Sequence, residues 1–192
     1  PAVLNGYNEE LLTSLETILE ETEANENIRA VILWGTGKHF STGADINWFK
    51  DLAVASEAEK KRVADLGAGA MRRLFSLPIS TIALVQNACF GGGIGYVAGC
   101  DIAIASEDAR FAISEVRIGI TPALILSQVI SAIGVRQARR YTLKAETFDV
   151  HEAKHFGLIH EIYPVDGLDD AAVPVVDVIL RNARHSAKTN ID

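Results

Sequence analysis

Two cysteines in 192 residues are too few to build a disulfide scaffold. Cys89 and Cys100 sit in apolar surroundings and read as buried free thiols of a reducing compartment, ahead of a disulfide or a metal site. No cysteine or histidine cluster has zinc spacing, so no metal is expected. Basic residues are scarce as well. Eighteen stand against twenty-five acidic ones, for a net charge of −7. That balance disfavours a general nucleic-acid binder and leaves room for a local basic patch that could attract a phosphorylated cofactor. No stretch approaches the roughly 20 apolar residues of a membrane-spanning helix. Pro1-Ala2-Val3-Leu4-Asn5 has neither the basic start nor the apolar run of a signal peptide. The expectation is a cytoplasmic protein with no membrane and no nucleic-acid partner. No internal repeat and no low-complexity segment occurs. The chain opens without a leading strand and closes on the polar His185-Ser186-Ala187-Lys188-Thr189-Asn190-Ile191-Asp192, which reads as a segment cut from a longer chain.

What is present is a 48% hydrophobic composition, enough for one good core and one domain over residues 1–192. Asn8 can cap a helix with Glu9 and Glu10 in its first turn, and Leu11, Leu12, Leu15, Ile18 and Leu19 form its buried stripe. Ala30-Val31-Ile32-Leu33-Trp34 is a continuous apolar run, hence a strand covered on both faces. Residues 35–48 read as a loop. Ser56-Glu57-Ala58-Glu59 is a capping box that opens a helix to about residue 75. Strands are expected over residues 79–85, 101–105 and 111–113. After Pro122 the pattern turns helical, with one helix ending near Gly134 and another over residues 136–143. Asp149 caps a short helix stopped by Gly157, residues 158–163 are strand-like, and residues 169–182 helical. The fold class is α/β, a core over about residues 1–120 followed by a helical part over about residues 121–192.

The densest chemical signal is a glycine turn and a carboxylate. Gly91-Gly92-Gly93-Ile94-Gly95-Tyr96 opens a short apolar helix, and Glu115 follows the strand ending Phe111-Ala112-Ile113-Ser114. Three readings compete. Nucleotide binding is the first. Gly35-Thr36-Gly37-Lys38-His39 superficially resembles a phosphate loop, but Ile32 replaces its first glycine and His39 its serine or threonine. Gly93-Ile94-Gly95-Tyr96-Val97-Ala98 fits a dinucleotide fingerprint, yet its helix is short and it stands off from the preceding strand. The second reading is tight packing of a helix on a sheet, which suits Gly95 and Gly99. The third is an oxyanion site. Adjacent glycines leave backbone N–H groups bare at a helix N-terminus, and Glu115 can move a proton beside the charge they stabilise. A surface Glu115 paired with Arg117 is the plain alternative.

Phe40-Ser41-Thr42-Gly43-Ala44-Asp45-Ile46, Ala88-Cys89-Phe90-Gly91-Gly92-Gly93, Cys100-Asp101-Ile102-Ala103-Ile104-Ala105 and Ser114-Glu115-Val116-Arg117-Ile118-Gly119-Ile120 follow one another in this order. The series resembles the successive signatures of the crotonase family, the enoyl-CoA hydratase/isomerase superfamily. The resemblance implies a spiral of ββα units with a helical C-terminal part, truncated here at both ends, and assembly as a homotrimer or hexamer. It implies an acyl-CoA thioester substrate, with coenzyme A as part of the substrate and no other cofactor. The backbone amides of Ala44 and Gly92 match the oxyanion hole and Glu115 the acid/base residue. Ala2, Val3, Leu4, Ala44, Asp45, Ile46, Gly91, Gly92 and Gly95 match positions that line the substrate and its CoA. Asp45 is expected to fix its own loop. Phe40 and Trp48 are candidates for pocket or core, and Lys50 could take the phosphate contact that Ala2 cannot make.

One departure from the family pattern is sharp. Ordinary enoyl-CoA hydratases carry two glutamates, and the first of those positions is Gly95 here. Only Glu115 remains. Enoyl-CoA isomerases, hydroxycinnamoyl-CoA hydratase-lyases and some bacterial 3-methylglutaconyl-CoA or isohexenylglutaconyl-CoA hydratases share that feature. Ser114-Glu115-Val116-Arg117-Ile118-Gly119-Ile120-Thr121-Pro122-Ala123 and Ala138-Arg139-Arg140-Tyr141 are similar to the last group. The implied reaction is hydration of a branched 2-enoyl-CoA with Glu115 as the single acid/base and open room over Gly95 for a substrate branch or water. An isomerase, and a catalytically weak acyl-CoA-binding or assembly subunit, are the alternatives.

Overall fold

The computed structural model describes residues 4–182. Helix α1 spans Glu9–Ala24, and Asn8 Oδ1 caps it by accepting from the Leu11 amide at 3.0 Å. It packs on α3, Glu57–Ser76, whose cap is Ser56. Between them run strand β1, Ala30–Trp34, and helix α2, Ile46–Ala53. Strand β2 is Ser80–Val85, β3 is Ala88–Phe90, α4 is Gly92–Gly99, β4 is Ile102–Ser106 and β5 is Arg110–Ala112. A 3₁₀ turn, Glu115–Ile118, leads to α5, Leu126–Lys144. The chain closes with β6, Phe148–Asp149, α6, Val150–His155, β7, Glu161–Tyr163, and α7, Ala172–Arg181.

Two sheets grow side by side. One is wholly parallel in the order β1-β2-β4-β7. The other is β3-β5-β6, with a parallel bridge from Ser41 to Cys89 at its near edge. Each turn of chain gives a strand to the first sheet, crosses a short link, gives residues to the second, then runs into helix. Trp34 to Ser41, Val85 to Ala88 and Ser106 to Arg110 are three such links. This is the expected ββα spiral. Both faces of β2 and β4 are covered. Ala83, Val85, Ala103 and Ala105 enter the main core, while Ile82, Leu84 and Ile104 lie under α7. Burial on both sides is why these strands read as continuous apolar runs.

Four expectations need correction. Strand β1 is the sheet edge among the described residues, and its two faces are covered only in part: Val31 and Leu33 pack on the main core and Ile32 on the cluster under α7, while Trp34 at its end is 62% exposed. The α1 stripe is narrower than its spacing suggested: Leu12 and Leu19 are buried, whereas Leu11 and Ile18 face a groove beside Leu33 and Trp34. Residues 46–48 belong to α2 rather than a loop, because Asp45 accepts from the amides of Asn47 and Trp48 and starts the helix there. Strand β3 was not expected, since three residues carry no readable period. The two helices expected around Gly134 are present and meet within α5 at a kink at that residue, φ 74° and ψ 158°. Among the described residues no helix is long and apolar enough to cross a membrane.

Candidate active site

The glycine turn is dictated by close approach. Gly91 has φ 52°, a conformation that side chains disfavour, and its amide donates to the Ala112 carbonyl at 2.9 Å. A Cβ on Gly92 would stand 2.5 Å from Tyr7 Cε1, and one on Gly93 would stand 3.0 Å from Ser41 Cβ. Helix α4 has no side-chain cap, so its first amides at the positive end of the helix find no side-chain acceptor there. A second loop meets the turn. A Cβ on Gly91 would lie 3.6 Å from Gly43 Cα. Tyr7 bridges this loop by donating its amide to the Gly43 carbonyl and accepting from the Asp45 amide, each at 2.9 Å. That pattern leaves the N–H of Ala44, between them, outside the ladder.

Glu115 begins the 3₁₀ turn after β5. Its Oε1 lies 3.2 Å from where a Cβ on Gly91 would be, over the glycine turn. Burial pushes its carboxyl above the ordinary glutamate range, opposed by hydrogen bonds from its own amide and that of Ser114. Its other oxygen, Oε2, is buried without a hydrogen-bond partner. Arg117 turns away and donates to the Ala145 carbonyl, so the surface Glu115–Arg117 pair does not form. The Tyr7 phenol is pushed up to about 12 by burial and then by the Glu115 charge.

A cavity of about 280 Å³ opens from Tyr7 and Gly92 and runs between Trp48, Met71, Leu124 and Ile125. Lys60 is the single charged residue among those lining it, and its ammonium is paired with Glu57 at 2.9 Å. The room expected over Gly95 is absent. A Cβ there would stand 2.2 Å from Ile125 Cγ2 and 3.0 Å from Met71 Cε, and Ile125 is 3% exposed. The tight-packing reading of Gly95 holds, and Ile125 fills the space intended for a branch or a water.

The other sequence candidates fall as follows. Gly91, Gly92 and Glu115 come together, and Gly43, next to Ala44, meets Gly91. Asp45 caps α2, as its loop-fixing role required, and Ile46 is exposed beside it. Leu4 is exposed and its carbonyl accepts from the Thr42 amide, while Ala2 and Val3 lie outside the described residues. Trp48 lines the cavity and Phe40 is buried in the core. Lys50 sits on α2 next to Phe49 but does not itself line the cavity. Cys89 is buried in β3. A larger cavity of about 470 Å³ borders Gly35-Thr36-Gly37-Lys38, but no helix follows that loop until α2, so the phosphate-loop pattern has no structural counterpart. Sequence reasoning missed Tyr7 and Ile125. Neither carries a local signature, since each matters through a contact with a distant glycine.

The sequence matches the enoyl-CoA hydratase/isomerase family over residues 1–191. It is 33% identical over 190 residues to the short-chain-enoyl-CoA hydratase of Clostridium acetobutylicum, covering 98% of this chain and 72% of that one. Among solved structures, an enoyl-CoA hydratase from Shewanella pealeana superposes with a TM-score of 0.92 at 40% identity, over 96% of this chain and 69% of that one. An enoyl-CoA hydratase from Bacillus anthracis superposes with a TM-score of 0.88 at 28% identity, over 95% and 70%.

Proposed function

The chain belongs to the enoyl-CoA hydratase/isomerase family, and we propose that it hydrates a 2-enoyl-CoA thioester to the 3-hydroxyacyl-CoA with Glu115 as its single acid/base. The observation that carries this reading is the buried Glu115 carboxylate, one oxygen unpartnered, over a turn whose helix end has no side-chain cap. In this reading the thioester oxygen accepts hydrogen bonds from the Ala44 and Gly92 amides. Ionised Glu115 takes a proton from water as its oxygen bonds to C3. The C2=C3 electron pair moves onto the thioester oxygen as an enolate. Glu115 then returns the proton to C2, so that H and OH are added across the double bond. Each preorganised donor is worth roughly 3 kcal/mol at the stage where charge collects on the oxygen. The apolar cavity supports an acyl group without charge, branched or straight, and its lone cation Lys60 is already neutralised by Glu57. CoA follows Leu4, Ala44, Asp45 and Ile46 in the same reading, and the chain assembles as trimers or hexamers.

The Ile125 side chain over Gly95 favours one other reading. With no second carboxylate, the same Glu115 could remove a proton from C2 of a 3-enoyl-CoA and return it to C4. Crotonyl-CoA, 3-methylglutaconyl-CoA and a 3-enoyl-CoA, each followed by thioester absorbance, separate the two. Loss of the conjugated absorbance supports hydration. Its appearance from the 3-enoyl substrate alone supports isomerisation. Binding without spectral change supports a non-catalytic acyl-CoA binder. Glu115→Gln is expected to lower turnover about 10²- to 10⁴-fold, and undiminished turnover in that variant ends the proposal.

A further inference from the structure

Two polar groups at the site make no side-chain hydrogen bond among the described residues. One is the buried Glu115 Oε2. The other is the Tyr7 hydroxyl, whose perturbation comes from burial and the Glu115 charge alone. They stand over consecutive residues of one turn. Tyr7 Oη lies 3.2 Å from where a Cβ on Gly92 would be, and Glu115 Oε1 lies 3.2 Å from the same point on Gly91. The phenol is held there from two sides. The Tyr7 backbone is bridged to Ala44, and the Tyr7 ring meets Trp48 edge-on with centroids 6.1 Å apart. Ile125 closes the wall over Gly95, so no carboxylate can supply a second polar anchor from α4. A water held by one carboxylate oxygen alone is free to swing about that bond. A phenol oxygen offers the second acceptor that fixes it.

We propose that Tyr7 and Glu115 together hold one water molecule over the glycine turn, and that Tyr7 is the second anchor of the water which Glu115 activates. The proposal rests on the hydratase reading for its role in turnover. The water donates one O–H to Glu115 Oε1, the carboxylate oxygen that lies over the glycine turn, and the other to Tyr7 Oη, which leaves a lone pair directed at C3. One water O–H bond breaks and its proton passes to Glu115, while the O–C3 bond forms and the enolate receives the π pair. Tyr7 keeps its own proton throughout, as a phenol displaced upward in its titration must near neutral pH. The neighbouring titratable groups are Tyr96, another phenol pushed upward by burial, and Lys60 at the cavity wall, occupied by Glu57. Arg117 points elsewhere.

Tyr7→Phe keeps the ring and its packing and removes only the oxygen. With crotonyl-CoA, kcat for hydration is expected to fall about tenfold or more, with KM nearly unchanged. Exchange of the C2 protons of butyryl-CoA in deuterium oxide needs Glu115 but no attacking water, and it is expected to persist at the unsubstituted rate. In the substrate-free protein, the ¹³C carboxyl resonance of Glu115, assigned with Glu115→Gln, is expected to titrate at higher pH in Tyr7→Phe, because the water dipole over the carboxylate is less well fixed. Hydration and exchange falling together, or an unmoved Glu115 midpoint, would overturn the proposal. A shifted midpoint in a protein that hydrates no enoyl-CoA leaves the Tyr7–Glu115 pairing in place and removes the hydratase reading instead.

Discussion

Glu115 shows how one residue trades stability for chemistry. Its burial is not matched by a cation, and desolvation therefore favours the neutral acid. The folded chain holds the Glu115 proton more tightly than the unfolded chain does. The stability that this contributes is fully present below the ordinary glutamate value of about 4.3 and is lost as pH rises through the folded value. At neutral pH the ionised form costs the fold something, which the reaction needs because only the anion can accept a proton from water. Glu115→Gln is therefore expected to unfold at a higher temperature than the parent at pH 7, with the gap closing as pH falls toward 4. Paired calorimetric scans at the two pH values check this. A variant less stable at pH 7 would mean that Oε2 has a partner which favours its charge. The acid limb of the activity profile is expected above the range of an ordinary glutamate, for the same reason.

At the scale of elements, short-range chemistry was legible and long-range crowding was not. Asn8, Ser56 and Asp149 cap α1, α3 and α6 as their positions indicated, because a cap is a contract between residues three apart. The glycine turn was legible for a similar reason, since three adjacent glycines imply a backbone approached from outside. What approaches it was not legible. Tyr7 comes from before α1, Ser41 from the link after β1 and Ile125 from the cap of α5. The contact between α4 and α5 makes a testable statement. Gly95→Ala drives a methyl into Ile125 and is expected to cost about 1–3 kcal/mol by overpacking. Ile125→Ala opens the same space, so the double variant is expected to recover part of the loss, with a coupling energy of about 1 kcal/mol or more in a double-mutant cycle. Strictly additive losses, measured by urea unfolding, would show that the two positions do not crowd each other.

Across the whole molecule, the helical second half is tied to the spiral by aromatic packing. Phe148 is 1% exposed and meets Phe111 of β5, Tyr141 of α5 and Phe156 beyond α6, at centroid distances of 5.5, 4.3 and 5.3 Å. Phe111 precedes Glu115 by one short turn, so this cluster underlies the strand that delivers the carboxylate. Phe148→Ala is expected to cost about 3–5 kcal/mol, read from the urea midpoint. A cost below about 1 kcal/mol, well under the range for a buried aromatic, would mean that the cluster does not brace the two halves.

The sequence by itself determined the order of apolar strands and capped helices, the turn at Gly91 and the solitary carboxylate at Glu115. Each of these is written in neighbouring residues, where hydrogen bonding and backbone freedom act locally. Tertiary structure alone decided that Trp34 lies at a sheet edge, that Ile125 occupies the space over Gly95, and that the Tyr7 phenol shares the turn with Glu115. These depend on side chains arriving from remote parts of the chain. Close packing selects them by volume and shape, which no local pattern of residues encodes.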